Sequence, residues 1–134
     1  MILFTSDRYF TIFDFHISHS QLLLRSSKGE KHQSNVDVIF FNVKFLQTPV
    51  SLWGISIEEI AESDAQLLEL KHQFGEIEYK ASRVYSVTTK KKEFYVICSF
   101  IKIFENQLEF DQTSLGVLNP IGREVELKLD AGGS

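Results

Sequence analysis

The residues best suited to chemistry lie at the end of the first predicted strand, where Asp14, His16 and Ser18 alternate with apolar side chains. Successive side chains of a strand point to opposite faces, so residues two apart share a face. A carboxylate beside an imidazole can orient the ring and let it act as a general base or a metal ligand. His19 adds a third group if a turn follows the strand. The sequence therefore predicts a ligand-binding site at Asp14, His16 and His19.

The competing interpretation of this segment is structural. The opposite face of the same strand carries four apolar side chains that we expect to face the core, namely Tyr9, Phe13, Phe15 and Ile17. Asp14 and His16 then form the solvent-facing polar end of a strand. Metal and acid–base sites need three converging ligands or a pocket, and the sequence shows only pairs. We therefore assign no catalytic residue, no metal ligand and no cofactor.

The charge balance argues against nucleic acid as a partner. The chain of 134 residues carries 14 Lys and Arg against 18 Asp and Glu, which gives a formal net charge of -4. Such a field repels a phosphate backbone unless a local basic patch overcomes it. The one basic run, Lys90–Lys92, lies between two apolar strand patterns, and a solvated hairpin tip explains it.

The single cysteine and the amino terminus bear on the compartment. One cysteine cannot form an intramolecular disulfide, and Cys98 lies in an apolar strand pattern as a small core residue. The amino terminus has no basic region ahead of its apolar residues, so we predict no signal peptide. No apolar run approaches the roughly 20 residues that span a bilayer. We expect a cytoplasmic protein without a membrane segment.

Strand patterns dominate the chain. Twelve Phe favour a sheet with an aromatic-rich core. One strand pattern, Val50–Ile57, places Trp53, Ile55 and Ile57 on one face. Eight segments show alternation or short apolar runs, namely 8–18, 21–26, 36–46, 50–57, 83–89, 93–104, 107–110 and 123–129.

One helix interrupts these strands. Ser63 and Gln66 have the spacing of a capping box, and apolar residues at helical spacing follow it. The pattern predicts a helix over about residues 64–74 that packs on the sheet through Leu67, Leu70 and Phe74. We predict an α+β, mainly β fold, a largely antiparallel bent sheet or small roll or sandwich of seven to eight strands with this helix. Residues 1–130 form one domain, and residues 131–134 form a flexible tail.

Two functions from different classes fit this sequence. The first is a non-enzymatic protein-interaction or regulatory module, which binds a protein partner or self-associates as a homodimer through a sheet edge or the helix face. The second is a small-ligand or metal-binding β-protein with its site around Asp14 and His16. Metal analysis and ligand-induced melting shifts would separate the two.

Overall fold

The fold is built almost entirely of antiparallel strands, as predicted. The computed structural model describes residues 2–61, 67, 69–70 and 82–130. Within these ranges the strands pair in the order β4-β7-β6-β5-β1-β2-β3-β8-β9. They are β1 (Ile2–His16), β2 (Gln21–Ser26), β3 (Asn35–Phe41), β4 (Phe45–Gln47), β5 (Ser51–Ile60), β6 (Arg83–Thr89), β7 (Lys92–Cys98), β8 (Phe100–Asn106) and β9 (Val125–Leu127).

The described ranges contain nine strands rather than seven to eight. The predicted strand 36–46 is divided at Asn42, whose φ is 57°, and the predicted strand 93–104 is divided at Ser99. The predicted strand 107–110 is an irregular segment instead. Two divisions and one loss account for the difference between eight predicted segments and nine strands.

The two divisions lie opposite each other, and they close the sheet on itself. Hydrogen bonds continue the ladder through both bends: Ser99 N–H donates to the Phe41 carbonyl over 2.8 Å, and Lys44 N–H donates to the Ile97 carbonyl over 2.7 Å. β3 and β4 thus follow each other along one bent stretch of chain, and β7 and β8 along another. The two stretches pair with each other through β3 with β8 and β4 with β7. Since β3 also pairs with β2 and β7 also pairs with β6, the ring of strands is complete.

The face of β1 that points into this closed sheet is the opposite of the face that we predicted. Phe10 is fully buried there, whereas Tyr9, Phe15 and Ile17 are 39%, 40% and 84% exposed. The prediction that these three residues form the core is wrong. Strands β2, β3, β5, β6, β7 and β8 contribute to the same interior cluster, which includes Leu22, Leu24, Val38, Phe40, Leu52, Ile57, Val87, Val96 and Ile103.

A β-bulge also interrupts the alternation of β1 after Ile12. Ile12 pairs with Leu24 and Asp14 pairs with Leu23, so Phe13 is an extra residue in the ladder. Such a residue breaks strict alternation and moves the following side chains to the other face. Phe13 packs outside the ring, against a second cluster formed by Leu23, Ile39, Phe104 and Leu115.

The predicted helix falls largely outside the described residues, and so does the predicted tail 131–134. Of residues 64–74, the structure describes Leu67, Glu69 and Leu70, and all three are helical. Leu67 and Leu70 are buried in a cluster with Val84 and Ile97, so these two residues pack on the sheet.

Candidate functional site

The structure brings together two of the three predicted site residues. The Nδ1 atoms of His16 and His19 lie 3.3 Å and 3.1 Å from Ser18 Oγ, and the two ring centroids are 5.2 Å apart. Asp14 is separate: its Oδ1 accepts a hydrogen bond from Phe15 N–H over 2.9 Å. No hydrogen bond joins Asp14 to either ring within the described ranges.

A short turn causes the two imidazoles to meet. Residues Ile17–His19 form a single 3₁₀ turn, which Ser20 ends with a φ of 49°. The resulting group is a half-buried imidazole and an exposed one, His16 and His19, around one hydroxyl. Among the described residues, no three His, Cys, Asp or Glu side chains lie close enough to hold a metal ion together. Ligand binding at Asp14, His16 and His19 stays a prediction.

A different part of the surface forms a cleft of about 630 Å³, which we call the outer cleft. Strands β1, β2 and β5 supply Arg8, Tyr9, Thr11, Arg25 and Trp53, and the loop between β2 and β3 supplies residues 27 and 29–32. Binding clefts for small molecules and side chains commonly have volumes of about 300–1,000 Å³. The outer cleft is therefore large enough for two or three side chains of a partner.

An exposed aromatic pair borders the outer cleft. Tyr9 and Trp53 are cross-strand partners with ring centroids 4.2 Å apart, and Trp53 is 61% exposed. The Tyr9 hydroxyl lies 2.9 Å from Ser51 Oγ, which holds the phenol in place. Lys90 Nζ lies 5.8 Å from the centroid of the Trp53 ring. The indole thus contacts a phenol and an ammonium group and still presents most of its surface to solvent.

Gly54 is the residue that turns Trp53 outwards. Ser6 pairs with Ile55 and Tyr9 with Trp53, so Asp7 and Arg8 together face the single Gly54. Gly54 has a φ of +80°, which favours glycine, and a Cβ there would lie 3.5 Å from the Ser6 carbonyl oxygen. This bulge shifts the alternation of β5.

The shift separates residues that the sequence analysis placed together. Ile55 and Ile57 are buried in the interior, whereas Trp53 faces the outer cleft. The prediction of one shared face for the three residues is therefore wrong. An isolated glycine inside a strand pattern is a known sign of a bulge, so Gly54 was the available signal.

Arg8 occupies the gap between β1 and the loop that follows β2. Its Nε donates to Ser26 Oγ over 2.9 Å, and its Nη2 donates to the carbonyls of Ser26 and Ser34 over 3.1 Å and 2.7 Å. Burial lowers the pKa of Arg8, and the charges of Glu105 and Asp7 partly oppose this effect. The hydrogen-bond acceptors are neutral oxygens, and the carboxylates of Glu105 and Asp7 compensate part of the positive charge.

The hairpin of β6 and β7 brings Lys90 to Trp53. Its two-residue turn consists of Lys90 and Lys91, with φ values of 48° and 65°. Positive φ at both positions is the signature of a type I′ turn, which strongly favours Asn and Gly. Two lysines there are unfavourable for the backbone, and strain of this kind is often found at functional positions. The hairpin tip was predicted, but its contact with Trp53 was not.

No protein-family model matches the chain, and neither curated proteins nor solved structures give a significant match. Within the described ranges, no helix has the length and apolar character needed to cross a membrane. The function must therefore be argued from the geometry of the surface.

Proposed function

We propose that the chain is a non-enzymatic protein-interaction module that binds a segment of a partner polypeptide in the outer cleft. The observation that carries the proposal is Trp53, which is 61% exposed although it packs on Tyr9. Trp, Tyr and Arg are the side chains that contribute most to binding energy at protein interfaces. All three border the same cleft here.

The rigidity of this surface supports the same proposal. Tyr9 is held by Ser51, Trp53 packs on Tyr9 near Lys90, and Arg8 is held by three hydrogen bonds. Side chains that are already ordered lose little entropy on binding, so more of their contact energy appears as affinity.

The environment of Cys98 argues against thiol chemistry at this residue. Its side chain is fully buried, and burial raises the pKa of the thiol to about 12. A catalytic cysteine requires an exposed thiolate at neutral pH. Cys98 is therefore a core residue, as predicted from its apolar neighbours.

A selection from a library of random displayed peptides tests the proposal. Peptides enriched on the wild-type chain should be lost on Trp53→Ala, because the substitution removes the exposed indole and leaves the buried core intact. Phe110→Ala is the matched control, since Phe110 is an aromatic residue that is 87% exposed and lies outside the outer cleft. Enrichment that is equal on wild type and Trp53→Ala would refute the proposal.

Self-association as a homodimer is a second form of the same function. The strand order ends in β4 on one side and β9 on the other, and each of these strands has three residues. Such short edge strands offer few backbone hydrogen bonds for pairing with a second chain. The predicted helix face lies largely outside the described residues. Light scattering over a wide concentration range tests this form, because a mass that stays at 15.4 kDa excludes the dimer.

The contact between His16 and His19 supports one alternative, a small-ligand or metal site near Asp14. An ion held there would have two imidazole ligands and would complete its shell with water or other donors. This alternative predicts that Zn²⁺ raises the Tm of the wild type and leaves the Tm of His16→Ala/His19→Ala unchanged. An equal zinc response in both proteins would exclude the histidine pair as the site.

A further inference from the structure

We propose that Gln21 and Arg123 form an anion site on the outside of the closed sheet, which binds an oxyanion such as a phosphate or carboxylate group. Neither residue lines the outer cleft. The anion site is therefore a second binding site, and it does not depend on the proposed function.

Arg123 supplies the positive charge of the anion site. Its Nε donates to the Ser114 carbonyl over 2.8 Å, and its Nη2 donates to the Gly116 carbonyl over 3.1 Å and to Gln21 Oε1 over 3.4 Å. All three acceptors are neutral oxygens. They hold the guanidinium in place without balancing its charge.

No carboxylate in the described part of the chain balances this charge either. The ion pairs among described residues do not include Arg123. Burial lowers the pKa of Arg123, and no neighbouring carboxylate opposes this effect as Glu105 and Asp7 do for Arg8. A partly buried guanidinium without a counter-ion is a strong donor to phosphate and carboxylate oxygens.

Gln21 adds a buried donor beside the guanidinium. The residue is 6% exposed, and its Oε1 accepts from Gly116 N–H over 2.9 Å as well as from Arg123 Nη2. Both contacts require an acceptor, so they fix the orientation of the amide and leave Nε2 as a donor. Nε2 makes no hydrogen bond within the described ranges, and a buried donor of this kind is costly without an acceptor.

The remaining donors of the two residues flank a single contact. Within the described ranges, Arg123 Nη1 makes no hydrogen bond, and it is two bonds from Nη2. Gln21 Nε2 is likewise two bonds from Oε1, the atom that Nη2 contacts. An oxyanion beside this contact supplies an acceptor for both nitrogens and the negative charge that Arg123 lacks.

Solvent reaches this part of the surface. Arg123 is partly exposed, and Val117, which follows Gly116, is 53% exposed. The guanidinium lies over the ring of Phe41, which stacks on Phe100, and Phe100 is 42% exposed. An ion can therefore approach from solvent past apolar side chains that carry no charge.

The neighbouring residues of β1 do not compete for Arg123. The cross-strand partner of Gln21 is His16, whose imidazole carries no negative charge. Asp14 lies further along β1, where its carboxylate accepts a hydrogen bond from Phe15 N–H and does not shift the pKa of Arg123.

A nuclear magnetic resonance titration of the ¹⁵N-labelled chain tests the anion site. Sodium phosphate and sodium acetate are added in separate experiments, with the ionic strength held constant by sodium chloride. We expect the side-chain amide signals of Gln21 and the Nε–H signal of Arg123 to shift and to saturate. The anion that saturates at the lower concentration identifies phosphate or carboxylate as the preferred group. The Asn35 amide is the internal control, because its Nδ2 already donates to Asn106 Oδ1 and to the Leu108 carbonyl.

Gln21→Glu is the decisive variant. It keeps the acceptor for Gly116 and Arg123 and places a carboxylate oxygen where Nε2 was, so the saturating shift of Arg123 Nε–H should be lost. Gln33→Glu is the matched control, because it adds the same charge at an exposed residue and should leave the titration unchanged.

Three results would overturn the proposal. They are a Gln21 shift no larger than that of Asn35, a shift that stays linear with anion concentration, and a saturating Arg123 shift that persists in Gln21→Glu. If Gln21→Glu does not fold, the comparison of Gln21 with Asn35 in the wild type decides.

Discussion

The guanidinium of Arg25 and the carboxylate of Asp37 form a two-point ion pair that solvent does not reach. Arg25 Nε lies 2.7 Å from Asp37 Oδ1 and its Nη2 lies 2.9 Å from Oδ2, on paired strands β2 and β3. Ser114 Oγ donates to the same carboxylate over 2.6 Å, and Arg25 Nη1 donates to the Gln112 carbonyl over 2.8 Å. The pair therefore ties the irregular segment after β8 to the outside of the ring.

Removing one member of this pair should destabilise the fold strongly. Asp37→Ala leaves the Arg25 charge buried without a partner, which typically costs about 3–5 kcal/mol. Arg25→Met/Asp37→Leu should be less damaging than Asp37→Ala, because it leaves no buried charge. Urea unfolding followed by circular dichroism measures both.

An exposed ion pair supplies the control for this prediction. Arg83 Nη1 lies 3.4 Å from Glu59 Oε1, and the two side chains are 58% and 39% exposed. Glu59→Gln should cost less than about 1 kcal/mol. If Asp37→Ala were no more damaging than Glu59→Gln, the buried pair would not be a structural tie.

Replacing Lys90 and Lys91 in the turn should raise the stability of the fold and weaken peptide binding. In Lys90→Asn/Lys91→Gly both positions receive residues that accept positive φ, so we expect a gain of about 1 kcal/mol in the free energy of unfolding. The same variant removes the ammonium group beside Trp53 and should weaken peptide binding. Thermal unfolding and anisotropy report the two effects. Lys92→Gln is the control because it removes a neighbouring charge without changing the turn, and a loss of stability in the double variant would contradict the strain argument.

The Cys98 thiol should resist alkylation in the folded protein. Burial raises its pKa from 9.0 to about 12, so at about pH 8 the thiolate fraction falls by about a thousandfold. We expect a thiol reagent to label the chain quickly in guanidinium chloride and to leave native Cys98 unlabelled over the same time. Equal rates in both conditions would place the thiol at the surface.

Alkaline pH should destabilise the fold. Burial is the main cause that raises the pKa of Tyr85 from 10.0 to about 12, as it does for Cys98. Above about pH 9 the unfolded chain releases these protons more readily than the folded chain, so stability is complete below that pH and falls as the pH approaches 12. Urea unfolding at a series of pH values should show the decline, and Tyr85→Phe/Cys98→Ala should show a smaller one. A flat profile in the wild type would contradict this assignment.

Arg8 should control the order of the loop between β2 and β3. Arg8→Leu removes three hydrogen bonds to Ser26 and Ser34, which we expect to cost about 1–3 kcal/mol. Amide hydrogen exchange in residues 27–34 should become faster, while exchange in β2 should stay slow. Arg83→Leu is the matched control, since the Arg83 side chain is largely exposed. Unchanged exchange in the loop would show that Arg8 does not hold it.

Local signals in the sequence predicted part of the fold well. Strand β2 and strand β6 have the predicted bounds, because each is short, apolar and bounded by polar turn residues. The antiparallel sheet was predicted because strand patterns and helix patterns do not alternate along the sequence. These features depend on neighbours in the sequence.

Features set by register were not predicted. Phe13 and Gly54 each create a bulge, and each bulge changes which side chains face the interior. The shared face assigned to Trp53, Ile55 and Ile57 was wrong because of the bulge at Gly54, whereas Tyr9 was assigned to the wrong one of the two faces of β1. Alternation in a single strand identifies two faces but not which of them is inside, because Leu115, in the segment after β8, packs on apolar residues of the outer face as well.

The closure of the sheet also has a kinetic consequence. The ladder between β3 and β8 joins Phe41 to Phe100 and Asn35 to Asn106, residues that are far apart along the chain. Hairpins such as β2–β3 and β6–β7 can form early, because their partners are close in sequence, but each lacks an enclosed interior until the distant strands meet. Topologies of this kind fold slowly, because loop-closure entropy is lost before the long-range contacts form. We therefore expect ring closure to limit the folding rate, so that folding takes milliseconds to seconds.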